Sequence, residues 1–206
     1  MGAVLSLHDL MAERRLWRGR PAEPAGPGRE PTGHAALDAV LPGGGWPEGA
    51  LTEVLIPADG IGELELLLPS LARISRAGRP VVWVQPPYLP YAPALARAGL
   101  DLRRIWVVEA GADQAAWALE QCLRSGACGA VLGWPAGLGD RQLRRLQVAA
   151  ETGQCLGFLF RPLSAARNPS PAALRLQFEG EGLRVLKCRG AQPPATPLPW
   201  PARPLH

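Results

Sequence analysis

The chain has 206 residues, 47% of them apolar and 19% charged, with a formal charge of +4. That size and balance fit one globular domain and exclude a disordered or collagenous chain. No uncharged run of ~18–20 residues is available to span a bilayer. Met1–Leu16 carries His8, Asp9, Glu13 and Arg14 within its apolar stretch, which excludes a secretory leader, so the expected location is the cytoplasm with no membrane contact.

In chain order, Val4–Arg18 places Leu7, Leu10, Met11 and Trp17 on one face at helical spacing and reads as an amphipathic helix. A Pro/Gly-rich tether, 19–31, comes after it. The apolar face must therefore be buried either on the body of the protein or on another molecule. From Ala50 onward, apolar runs of strand length alternate with amphipathic helical stretches, the pattern of an α/β fold. The expected strands are Leu51–Ile56, Pro80–Gln85, Ile105–Glu109, Ala130–Trp134 and Leu156–Phe160. Each is almost continuously apolar, as strands covered by helices on both faces must be, so the central sheet should be mostly parallel. The expected helices are Glu63–Arg76, kinked at Pro69, then Ala92–Ala98, Gln114–Ser125 and Asp140–Glu151. Gly78, Gly99, Gly126 and Gly153 stand as C-terminal stops. Leu174–Phe178 and Leu183–Cys188, joined at Gly180–Gly182, read as an antiparallel hairpin closing the sheet. The last stretch, 190–206, holds six prolines and Trp200. It should be an extended tail, either inert or a docking peptide anchored by Trp200.

Lys187 is the one lysine, and it lies in the last strand of the hairpin. Chemistry that needs a lysine near the start of the domain, a phosphate-binding loop above all, is excluded. Cys122, Cys128, Cys155 and Cys188 lack C-x-x-C spacing and paired histidines, so they read as reduced, buried thiols and no metal is expected.

Thr32-Gly33, Leu37-Asp38, Leu41, Gly44-Gly45, Pro47, Gly49 and Glu53 stand in one ungapped register leading into the first strand. This run resembles the approach to the nucleotide-binding strand of the RecA recombinase core. The likeness extends through Ala96-Arg97, Gly99, Asp101, Glu120 and Arg124-Ser125-Gly126 to the hairpin, roughly Pro31 to Arg189. It implies a RecA-like core over 32–189. The nucleotide chemistry does not carry over. A phosphate loop needs G-x-x-x-x-G-K-[ST], whose amides cradle phosphates, whose lysine neutralises them and whose hydroxyl holds magnesium. Here the corresponding positions are the degenerate Pro57, Gly62, Glu63 and Leu64, with Asp59, Glu63 and Glu65 adding negative charge. Pro87 stands where such a core carries its catalytic glutamate, and Ala130–Trp134 ends without the magnesium-binding carboxylate. No cofactor and no catalysis are expected.

Arginine is the remaining source of positive charge. Arg141, Arg144 and Arg145 on one helix, with Arg161 and Arg167 near the following strand, are candidate contacts for single-stranded DNA, or simply solvated cations. Pro86-Pro87-Tyr88-Leu89-Pro90-Tyr91 lies after the second strand, at the sheet edge where α/β proteins bind ligands. Its stiff, apolar and aromatic composition suits a protein contact, with Tyr88 and Tyr91 as candidates, or else a rigid loop packed inward.

Two families of RecA-like, ATP-free bacterial proteins have this character: the ImuA accessory proteins of SOS-induced mutagenesis and the SulA cell-division inhibitors. Gly43–Pro47, Gly62-Glu63-Leu64, Leu67-Leu68-Pro69, Pro86–Leu95, Leu123–Leu132, Leu143–Gln147 and Gly157–Pro162 resemble ImuA. That resemblance implies an adaptor in translesion synthesis that binds the inactive polymerase homologue ImuB and the error-prone replicative-type polymerase complex. RecA is a second implied partner, while the tethered helix suits self-association or the capping of a RecA filament and the arginines suit single-stranded DNA. The rival resemblance, to SulA, implies division inhibition through the tubulin-like FtsZ.

Overall fold

Ala50–Ile56, the first strand (β1), is buried at every residue. The reason is its place in the sheet: β5 (Leu156–Pro162) and β6 (Leu174–Glu179) flank it in parallel, and an apolar layer covers each face. The computed structural model describes residues 29–135 and 137–200. The amphipathic segment with Leu7, Leu10, Met11 and Trp17, and most of the tether, lie outside the described residues. β2 (Val81–Val84) lies between β3 (Ile105–Val108) and β4 (Ala130–Gly133). The eight-stranded order is β3-β2-β4-β5-β1-β6-β7-β8, where β7 (Gly182–Cys188) forms the antiparallel hairpin with β6 and β8 (Leu198–Pro199) adds to its outer edge. The fold is thus mixed α/β, with a large, mostly parallel sheet and a C-terminal hairpin.

Alternation along the strands separates two apolar layers. Val54, Trp83, Leu132, Phe158, Phe160 and Leu176 point to one face, where they meet Trp46, Leu66, Leu71 and Ile74. Leu51, Val82, Val131 and Leu159 point to the other, beneath Leu119, Leu123, Leu143 and Leu146. The first face is covered by the 32–46 segment, with its short helix α1 (Ala35–Asp38), and by α2 (Leu68–Arg76). The second is covered by α4 (Ala112–Arg124) and α5 (Asp140–Gly153), while α3 (Ala92–Arg97) precedes β3. Trp46 anchors the opening segment: its Nε1–H donates to Ser70 Oγ at 3.0 Å, and its ring meets Phe158 edge-on at 5.1 Å.

Local details depart from the sequence reading for definable reasons. The expected kinked helix over 63–76 is two elements, a 3-10 turn (Glu63–Leu66) and α2, and Pro69 falls in the first turn of α2, where its missing N–H leaves no bond unmade. Gly153 stays inside α5, and Gln154 takes the left-handed conformation instead (φ 49°). Gly153 is needed for a different reason, since a Cβ there would lie 1.9 Å from the Leu123 carbonyl of α4. Gly153→Ala should therefore lower the unfolding free energy by about 2–3 kcal/mol as the helices are forced apart. A urea titration showing an unchanged or raised midpoint would refute this.

The 163–171 stretch begins with a 3-10 turn (Leu163–Arg167) fastened to Arg175. Trp200 is half-buried against its own body. Its N–H donates to the Glu181 carbonyl at 3.0 Å, and its ring packs against His34 (4.6 Å) and Phe178 (5.9 Å) of its own body. Burial pushes the Cys155 thiol up to about 12, and it raises those of Cys122 and Cys188 as well.

Candidate protein-contact edge

Parallel strands end together, so the loops after β1, β2, β4 and β5 gather at one edge of the sheet. The loop after β1 turns through Gly62 at φ 89° into the 3-10 turn. Glu63, 4% exposed, folds its carboxylate back, and its Oε1 accepts the Gly60 N–H at 3.1 Å. A side-chain carboxylate thus uses an amide of the loop that a phosphate would need, and Asp59 adds a second negative charge. Pro57, Gly62, Glu63 and Leu64 form a turn with no cation to hold an anion.

The loop after β2 is held out by a strained residue. Gln85 adopts φ 51°, its N–H donates to the Val108 carbonyl (2.9 Å), and its Oε1 accepts the Ala110 N–H (3.0 Å). Pro86, Pro87 and Pro90 stiffen the segment beyond it. Tyr88, Leu89 and Tyr91 are 69%, 80% and 68% exposed, so the loop is not an inward-packed cover but a ridge. Between this ridge and Gly60–Leu64 lies a cleft of about 310 Å³, floored by Trp83 and Trp134. Trp134 stacks between Trp83 (5.8 Å, 27°) and Phe160 (4.6 Å, 9°), and a second cleft of about 410 Å³ lies beyond it, lined by Ile56–Asp59 and Phe160–Pro162.

Beneath this edge, Glu53 is 0% exposed and bridges two arginines. Arg161 Nη1 donates to Oε1 and Arg175 Nε to Oε2, each at 2.6 Å. The remaining donors reach the carbonyls of Leu138 (3.3 Å), Ala165 (2.7 Å) and Asn168 (3.1 Å). Arg161 is therefore no DNA contact: it is 7% exposed and wholly engaged in the sheet. Glu53 and Arg175 escaped the sequence reading as a pair of partners. The signal was present in the apolar contexts A-L-T-E-V-L-I, F-L-F-R-P and L-R-L-Q-F, because a charge within a buried strand needs a counter-charge.

The other candidate cations do not form one patch with Arg161. Arg145 Nη2 is tied to Glu120 Oε2 at 2.6 Å, and Arg124 binds the other oxygen of that carboxylate at 2.7 Å. Arg141, Arg144 and Arg167 are exposed, with Arg144 beside Pro169–Pro171. Among the described residues no group of three or more His, Cys, Asp or Glu side chains could hold a metal ion, and no helix is long and apolar enough to cross a membrane.

The edge of this α/β sheet thus presents exposed aromatic, apolar and proline side chains beside the turn closed by Glu63. Comparison with known proteins gives the family: the model of the cell division inhibitor SulA matches residues 49–157, and the chain belongs to that family. It is similar to the cell division inhibitor SulA of Edwardsiella piscicida, with 34% identity over 116 residues, 53% of this chain and 69% of that protein. It is also similar to that of Photorhabdus laumondii subsp. laumondii, with 33% identity over 111 residues, 53% of this chain and 63% of that protein. The crystal structure of SulA from Pseudomonas aeruginosa aligns at a TM-score of 0.46 and 28% identity, covering 54% of this chain and 97% of that one.

These matches overturn the resemblance to ImuA, and with it the adaptor role in translesion synthesis and the partnership with ImuB, the error-prone polymerase complex and RecA. The residues that carried that resemblance describe the sheet and its turns, a frame that says nothing of which partner is bound.

Proposed function

We propose that this chain inhibits cell division as part of the SOS response, acting in the cytoplasm, without catalysis, by binding FtsZ. The observation that carries this reading is the exposed Tyr88-Leu89-Pro90-Tyr91 ridge at the ligand edge of the sheet. Stiff aromatic and apolar groups on a proline-braced loop lose little entropy when a protein covers them. Membership of the SulA family supports the choice of partner. The sheet is read as a RecA-like core, which its mostly parallel order and C-terminal hairpin support. Under the same proposal, 32–189 is the contact-bearing body, and 1–18 is an amphipathic helix on the 19–31 tether.

The test is GTP-driven FtsZ assembly followed by sedimentation. An equimolar amount of this chain should remove most FtsZ from the pellet, and its overproduction should give filamentous cells in a host lacking RecA. Undiminished assembly together with normal division would overturn the proposal.

A further inference from the structure

β3 closes one end of the sheet, with β2 on one side and no strand among the described residues on the other. Trp106 and Val107, on opposite faces of it, are 51% and 38% exposed. A sheet edge is ordinarily blunted by a charge, a proline or a bulge. Ile105-Trp106-Val107-Val108 contains none of these, and the ridge at 88–91 proposed for division inhibition leaves this edge unassigned.

The open backbone groups define what can pair with it. The Val108 carbonyl accepts the Gln85 N–H at 2.9 Å and the Ala110 N–H is held by Gln85 Oε1 at 3.0 Å. Even-numbered residues therefore turn their backbone toward β2, and odd-numbered ones turn it outward. The Ile105 N–H is already bonded to the Leu102 carbonyl of the preceding 3-10 turn (Leu102–Arg104). What remains open is the Ile105 carbonyl, both groups of Val107 and the Glu109 N–H. This set is its own complement. When a second β3 runs antiparallel with the two-fold axis at Val107, the two Val107 residues exchange N–H and carbonyl, and each Glu109 N–H meets the Ile105 carbonyl of the other copy. A register with Trp106 on the axis loses half of these bonds, because the Ile105 N–H is taken.

Side chains and charge agree with that pairing. Trp106 comes to lie opposite the second copy's Val108, a cross-strand pair of the aromatic and β-branched kind that stabilises sheets. The antiparallel direction sets Glu109, the acidic end of each strand, beside the basic Arg103-Arg104 turn that opens the other. A parallel pairing would instead set arginine beside arginine. Arg104 and Glu109 are exposed, and neither has a side-chain hydrogen bond or ion pair among the described residues. A cleft of about 380 Å³, lined in part by Val107, Glu109 and Gly111, leaves room for the incoming turn.

We propose that the chain forms a two-fold dimer through β3, which joins two eight-stranded sheets into one. The contact is isologous, made by the body of the domain and not by the 1–18 segment.

Sedimentation equilibrium of the full chain tests this, together with the variants Glu109→Arg and Arg104→Glu/Glu109→Arg. The chain should be dimeric at micromolar concentration. Glu109→Arg should weaken the association roughly tenfold, since the two-fold axis repeats the repulsion, with an unchanged far-ultraviolet circular dichroism spectrum. The double variant should recover the association. Under oxidised glutathione, Val107→Cys should give a covalent dimer. Trp106→Cys should not, because its diagonal position leaves the two thiols on residues about 7–8 Å apart, beyond the reach of a disulfide. A chain that stays monomeric would overturn the proposal. So would a dimer indifferent to Glu109→Arg, or cross-linking of Trp106→Cys in preference to Val107→Cys. FtsZ is absent from these experiments, so their outcome is independent of the proposed function.

Discussion

Glu53→Gln should lower the unfolding free energy by about 3–5 kcal/mol, the range seen when one member of a buried ion-pair network is removed. The amide keeps the size and one acceptor of the carboxylate but leaves Arg161 and Arg175 as two buried cations without their counter-charge. The loss should appear as a lower urea midpoint with an unchanged slope. The triple replacement Glu53→Leu, Arg161→Met and Arg175→Met removes all three charges together and should recover most of the lost stability, because the desolvation cost of the ions goes with them. A fully stable Glu53→Gln variant would mean that the two arginines find water in the folded state. The triad also joins separate parts of the chain: it ties β1 to β5 and β6 and, through Arg175, to the 163–168 turn.

The second large effect concerns function and leaves stability nearly untouched. Tyr88→Ala combined with Leu89→Asp should weaken FtsZ binding at least 30-fold, about 2 kcal/mol or more, as expected when aromatic anchors at the centre of an interface are truncated. Overproduction of the double variant should then no longer produce filaments. Both side chains are more than two-thirds exposed, so unfolding should change by no more than about 0.5 kcal/mol. Full inhibition by this variant would move the contact surface off the ridge.

The frame was legible because each central strand is a short apolar run and each helix has a clear apolar stripe. The strands read as Leu51–Ile56 and Leu156–Phe160 needed no tertiary information, although the first begins one residue earlier and the second runs two residues further. Two kinds of feature did not show. One is set by neighbours distant in sequence: β8 exists only because Leu198 meets Leu183, and Gly153 is small because of Leu123. The other is the destination of charges. Arg161 and Arg167 look alike in the sequence, yet one closes a buried triad and the other lies in solvent. Tyr88 and Tyr91 were readable as candidates from composition, while their outward direction depends on Gln85 holding φ 51° between β2 and β3. Family was the hardest inference, because motifs that build a shared frame are common to proteins with different partners.

The Glu63 side chain on the Gly60 amide also makes the turn after β1 self-contained. A phosphate-binding turn keeps amides open for an anion supplied from outside, whereas in this turn the Gly60 amide is taken by a side-chain oxygen of the same chain. Introducing a lysine beside Glu63 would give that carboxylate an internal partner, and removing Glu63 alone would leave Gly60 without its acceptor and the turn without a cation. A turn that supplies its own acceptor in this way needs no bound anion to hold its shape.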